Sequence, residues 1–133
     1  MRSAQTNRRP TLDQAVALHN EGALPKAARL YERALRETPR AFQPVFLLGV
    51  LRLQQGDAAD AERRLRQALE INPGHADAWF HLAEILSAKG DADAAETAYA
   101  EATRQQPPHA LACFKLGLLR DRQGRSVDAR AAA

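Results

Sequence analysis

Between Ala76 and Gln106 the apolar residues fall into two helical stripes. Trp79, Leu82, Ala83 and Leu86 recur at i, i+3, i+4 and i+7, which puts them on one side of a 3.6-residue helix. Gly90 then interrupts the pattern, and Asp91 offers a side-chain oxygen to cap a following helix. Ala95, Tyr99 and Ala102 resume at i, i+4 and i+7. Pro107 and Pro108 close the second stripe, because proline lacks a backbone donor and biases the residue before it away from helix. The pattern predicts two helices joined by a tight turn at the glycine.

The same pattern recurs along the chain. Gly22, Gly56, Gly90 and Gly124 stand 34 residues apart, and so do Ala27, Ala61, Ala95 and Ala129. Ala34, Ala68 and Ala102 keep that spacing, as do Pro39, Pro73 and Pro107. A fixed period of this length means one helix hairpin repeated in tandem, each copy unable to bury its apolar face alone. Small residues at Gly49, Ala83 and Gly117 in the first helices match Ala61, Ala95 and Ala129 in the second. Two backbones can therefore approach closely while Leu48, Leu82, Leu65 and Tyr99 interlock around them. The fold class expected is all-α, an α-solenoid of antiparallel helix hairpins. Its organisation is a disordered basic tail over 1–7, repeats over 8–41, 42–75 and 76–109, and a partial fourth over 110–133.

The third copy reads Trp79-x2-Leu82-Ala83-x2-Leu86, then Gly90, Ala95-x3-Tyr99, Ala102 and Pro107. This resembles the tetratricopeptide repeat at nearly every signature position, over about residue 8 to the end. The resemblance implies a superhelical array whose first helices line a concave groove for peptides. These repeats serve many unrelated partners, so it does not name one.

On the first helices a second stripe, offset from the one facing the partner helix, marks that groove. It holds Leu12, Val16 and His19 in copy one and Phe46, Val50 and Leu53 in copy two. Phe80 and Glu84 follow in copy three, and Phe114 and Leu118 in copy four. Phe46, Phe80 and Phe114 recur at the repeat period and suggest an aromatic ladder. Such rings either pack between neighbouring repeats or face an amphipathic helix or extended segment in the groove. Two groove chemistries of the family lack their residues here. A clamp for a terminal carboxylate uses lysines, an arginine and asparagines, and the corresponding positions here, Leu12, Val16, Leu47, Asp77 and His81, lack the positive charge. An asparagine ladder, as in O-linked N-acetylglucosamine transferases, would need asparagine at Asp13, Leu47, His81 and Lys115.

The ends depart from the pattern. Thr11 and Gln14 stand where Val45 and Leu48 stand in copy two, and Thr11-x-x-Gln14 fits a capping box opening the first helix. Copy four supplies a first helix through Leu119, then Gly124, and the sequence stops at Ala133, where the packing aromatic of a second helix is due. That last helix is apolar nearly all round. It predicts a piece of a longer protein, or an exposed end that packs on another copy through Leu116 and Leu119.

Composition adds little against this reading. The net charge is +3, and Lys26, Lys89 and Lys115 are the only lysines among 19 basic residues. An arginine- and alanine-rich chain suggests a GC-rich bacterial gene. Arg29, Arg33, Arg36, Arg63, Arg64 and Arg66 lie on second helices beside carboxylates at helical spacing: Glu32 to Arg36, Asp60 to Arg64 and Glu62 to Arg66. They read as a solvated outer face, and a nucleic-acid partner is not expected. No run is long enough to cross a membrane, no apolar signal region opens the chain, and the reading is cytoplasmic. Cys113 takes the column of Val45 and Trp79 and is expected to be buried. His75 and His109 fall in turns between copies and are expected to be solvated. His81, Glu84 and Asp77 share one helix, too few converging ligands for a metal.

No phosphate loop, serine elbow or paired-cysteine motif appears, so neither catalysis nor a cofactor is expected. The function expected is a non-catalytic protein-interaction scaffold for a peptide, a partner helix or a second copy. The alternative is a substrate-docking segment of a larger bacterial enzyme. Leu47-Leu48-Gly49-Val50-Leu51 with Gln54-Gln55-Gly56-Asp57 loosely resembles arrays that precede glycosyltransferase, sulfotransferase or hydroxylase domains.

Overall fold

The computed structural model of the chain describes residues 8–132, so the tail expected over 1–7 lies outside the described residues. The described chain is helical, in the order α1 (Arg8–Asn20), α2 (Leu24–Glu37), α3 (Phe42–Gln54), α4 (Ala58–Ile71), α5 (Ala76–Ala88), α6 (Ala92–Arg104) and α7 (Ala110–Ala132). It divides into two compact units at the Pro73–Gly74 junction.

The glycine turns form where the period places them. Gly22, Gly56 and Gly90 have φ of 85°, 82° and 85°, a region that L side chains rarely adopt. Each turn closes with a six-residue backbone bond: Ala23 N–H to Leu18 O (2.9 Å), Asp57 N–H to Arg52 O (2.9 Å) and Asp91 N–H to Leu86 O (3.0 Å). Asp57 then accepts the Asp60 amide at 3.1 Å, and Asp91 accepts that of Ala94 at 3.2 Å, starting α4 and α6.

In the first unit α1 pairs with α2, α2 with α3 and α3 with α4. Ala15, Ala27, Ala28, Tyr31, Leu48 and Leu51 form a buried cluster. A Cβ added at Gly49 would meet Arg64 Cβ at 3.2 Å and Leu65 Cγ at 3.3 Å, which is the close approach of α3 and α4 that the small column predicts. In the second unit α5 pairs with α6 and α6 with α7. Ala83 and Ala95, both fully buried, occupy the corresponding positions, and Ala112 and Leu116 of α7 are also buried.

Four expectations fail, three of them at the last helix. Thr11 does not open α1, since the helix is already formed from Arg8 with Pro10 in its first turn; Thr11 is buried. Gly124 makes no turn: α7 runs unbroken through it to Ala132. Arg125 stands where Asp57 and Asp91 supply caps, and Val127 is the one residue after Gly124 larger than alanine with an apolar side chain. A second helix there has neither a cap nor a packing stripe. Gly117 therefore meets no opposing helix within 4 Å of an added Cβ, and Ala129 lies further along the same helix instead of across from it. Cys113 is exposed for the same reason, because no second helix covers its column.

Candidate functional site

In the first unit the expected groove stripe is half-buried. Leu12 and Val16 pack against the buried cluster, and Phe46, Val50 and Leu53 keep part of their surface open. Phe46 stacks on Phe42 with centroids 5.7 Å apart and planes 6° apart. His19 is locked in place: its Nε2–H donates to Gln54 Oε1 at 2.6 Å, leaving Nδ1 to accept from the Tyr31 hydroxyl at 3.0 Å. Burial pushes the Tyr31 phenol up to about 12. An open depression of about 570 Å³ lies beside Leu12, Ala34, Thr38 and Pro44.

In the second unit the expected residues divide into packed and open sets. Phe80 stacks face to face on His109 (4.4 Å, 14°) and leans on Tyr99 at 6.1 Å, so much of this ring serves packing. Glu84 accepts the Tyr99 hydroxyl at 2.9 Å and sits 3.4 Å from Lys115 Nζ; it fixes neighbours. Burial raises the Tyr99 phenol, and the bond to Glu84 raises it further. Phe114 and Leu118 are open, at 62% and 40% exposure, together with Leu111 at 48%. These three are the exposed large hydrophobic side chains among the described residues, and they share one side of α7 at i, i+3 and i+7. Beside them a depression of about 430 Å³ is bounded by Glu84, Tyr99, Lys115, Leu118, Leu119 and Arg122. Leu116, expected at an exposed end, is 6% exposed and turned inward, while Leu119 is half-buried. The side of α7 that packs on the unit is thus distinct from the open side.

Sequence reasoning missed Leu111 and misplaced two histidines. His75 and His109 are caps, not solvated turn residues. Nδ1 of His75 accepts the Ala78 amide at 3.2 Å, and Nδ1 of His109 accepts that of Ala112 at 3.1 Å. Burial holds the His75 imidazole below its ordinary value against the pull of Asp77. The signal was present: both stand in one 34-residue column, immediately before a first helix.

The arginine face is an ion-pair network. Asp60 takes Arg52 at 3.2 Å and Arg63, with Arg64 at 3.7 Å, and Glu62 takes Arg66 at 3.0 Å. Burial pushes the Asp60 carboxyl up, but the Arg63 hydrogen bond and the charges of Arg64, Arg63 and Arg52 outweigh it and hold the group below 3.8. Glu32 pairs with Arg52 of α3 at 2.5 Å, not with the Arg36 that the spacing suggested, and so ties α2 to α3. Among the described residues no cluster of three metal-ligating side chains forms. None of the described helices is long and apolar enough to cross a membrane.

The chain compares with known proteins as this geometry leads one to expect. Residues 52–116 match the family model for the tetratricopeptide repeat. No curated protein matches the sequence. Among solved structures, a MamA protein is similar with a TM-score of 0.78 at 24% identity, over 88% of this chain and 64% of that one. A mutant of the Thermobaculum terrenum O-GlcNAc transferase gives 0.78 at 24% identity, over 88% of this chain and 22% of the enzyme. The Yersinia enterocolitica type III secretion chaperone SycD, solved with a peptide of the translocator YopD, gives 0.80 at 16% identity, over 86% and 93%. The chain therefore spans less than two thirds of the MamA and transferase chains. These likenesses establish the fold, and with the glycine turns, the caps and the matched segment they lead to one reading: residues 52–116 carry tetratricopeptide repeats within a chain that has the fold of such repeats.

Proposed function

We propose that the chain is a protein-interaction module and that α7 receives an apolar helical or extended segment of a partner. The observation that carries this is the confinement of the open large apolar side chains, among the described residues, to one face of α7: Leu111, Phe114 and Leu118. A contiguous apolar stripe left in water marks an interaction surface, and covering these three half-exposed side chains contributes on the order of 3 kcal/mol. Lys115 and Arg122 flank the stripe and favour a partner with acidic residues along that edge. Phe46, Val50 and Leu53, with Leu12 and Val16, offer a second half-buried apolar face on the first unit; in the second unit Phe80 stacks on His109, just before α7, and Glu84 pairs with Lys115 of α7. The peptide held by SycD in a related fold supports a peptide ligand here.

The test is a selection of displayed random peptides on the chain, followed by affinity for the parent and for the Phe114→Ser, Leu118→Ser variant. Selected peptides should carry apolar residues at helical spacing and lose about tenfold in affinity, about 1.4 kcal/mol, while the variant's circular dichroism is unchanged. Equal affinity for both proteins would contradict the proposal.

A second reading is favoured by the likeness to part of the O-GlcNAc transferase chain: a docking segment of a larger bacterial enzyme. Reading the gene past Ala133 separates the two, since a catalytic motif supports the second and a stop codon the first. A cytoplasmic, bacterial setting fits either and rests on composition and hydropathy. Association of two copies through α7 is the third occupant such a face admits; sedimentation over a concentration range would show it.

A further inference from the structure

The first turns of α5 and α7 are built on unprotonated imidazole nitrogens. A histidine that accepts a backbone N–H at Nδ1 has a lone pair there and is neutral, so its hydrogen is on Nε2. For His109 this assignment is fixed from both sides, because Nε2–H donates to Asp77 Oδ1 at 2.9 Å while Nδ1 takes the Ala112 amide. The ring also stacks on Phe80 of α5, so the start of α7 is joined to α5 by a hydrogen bond and an aromatic contact through one side chain. His75 makes the equivalent cap at the start of α5. A third imidazole, His81, lies one and a half turns along α5, with its ring edge toward Phe80 at 5.6 Å.

We infer that His75 and His109 form a proton-sensitive latch: neutral, they hold the starts of α5 and α7, and acidification releases both caps together. The chemistry is simple. A proton on Nδ1 removes the acceptor, places N–H against N–H, and puts positive charge at the positive end of a helix dipole. The charged groups that face the latch include Asp77 and Glu84. Asp77 acts on all three imidazoles, and Glu84 acts on His81 but is already held by Tyr99 and Lys115. Up to three positive charges would thus gather around Asp77.

Burial holds His75 and His81 below their ordinary 6.5. A depressed histidine contributes stability that is complete above the unfolded value and is lost as pH falls below it. The sensitive window therefore opens below about 6.5.

Asparagine at both positions supplies a capping oxygen that does not titrate. The experiment follows the Ala78 and Ala112 amide resonances, and the denaturant midpoint read by Trp79 fluorescence, from about pH 7.5 to about pH 5. It compares the parent with the His75→Asn, His109→Asn variant. In the parent both amides should titrate and the midpoint should fall. In the variant the amides should stay still and the fall should be at least halved, the rest belonging to His81. Parent amides that do not move over that range would overturn the inference whether or not the variant folds. A variant that loses as much midpoint as the parent would overturn it too.

Discussion

Gly49 and Gly117 occupy one column of the repeat but opposite physical situations, so the same substitution should act on them with different signs. At Gly117 an added methyl meets nothing within 4 Å, and the residue lies inside α7. Gly117→Ala then removes the backbone-entropy cost of a helical glycine without a clash, a gain of about 0.5–1 kcal/mol. At Gly49 the methyl meets Arg64 Cβ at 3.2 Å and Leu65 Cγ at 3.3 Å. The same gain there is set against overpacking of about 1–3 kcal/mol, so Gly49→Ala should be neutral or destabilising by up to about 2 kcal/mol. Urea titrations distinguish the two, because Trp79 is the one tryptophan and lies in the unit that holds Gly117. Circular dichroism reads the helices of both units, so a transition it shows apart from the Trp79 signal belongs to the unit that holds Gly49. A lower midpoint for Gly117→Ala would refute the reasoning, for it would mean that a helix packs on Gly117 as α4 packs on Gly49.

Other perturbations follow from the same packing. Leu48 is fully buried, so Leu48→Ala should cost about 2–5 kcal/mol in the circular-dichroism transition, and a loss under about 1 kcal/mol would contradict its place in the core. Ala61→Leu forces three more carbons into the α3–α4 contact and should cost about 1–3 kcal/mol; an unchanged midpoint would mean that the two helices do not pack closely at Ala61. Asp60 is held below 3.8 in the fold, so its contribution is present above that value and lost as pH falls through the lower folded one. Asp60→Asn should therefore flatten the acid limb of stability below about pH 4, and an unchanged acid limb would remove Asp60 from the account.

The sequence was most legible where geometry leaves no choice. A left-handed turn residue selects glycine, and a helix start selects aspartate. Gly22, Gly56 and Gly90, with Asp57 and Asp91, thus marked their own positions. The alanine columns were equally readable, since Ala27, Ala61 and Ala95 are fully buried where two backbones approach. The fourth glycine misled, because Gly124 carries the column without the cap or the packing stripe that make a turn worthwhile, and the helix continues. Cys113 and Gly117 were misread with it, their burial depending on a helix that is not there. The candidate site was half legible. Phe114 and Leu118 fell in the expected stripe, yet spacing alone cannot tell an open ring from one stacked on a neighbour. Phe80, in the same column, is stacked on His109 from outside its own helix. The histidine caps escaped because a histidine in a turn is ordinarily solvated, and only the hydrogen-bond geometry shows which nitrogen is bare.

The most direct measurement is a map of amide shifts in the chain as one of the selected peptides is added. The largest changes should fall on Leu111, Phe114, Lys115, Leu118 and Arg122, with smaller ones at Phe80. Changes centred on Arg29, Arg33, Arg63 and Arg66, with α7 unmoved, would place binding on the charged second helices and contradict the account.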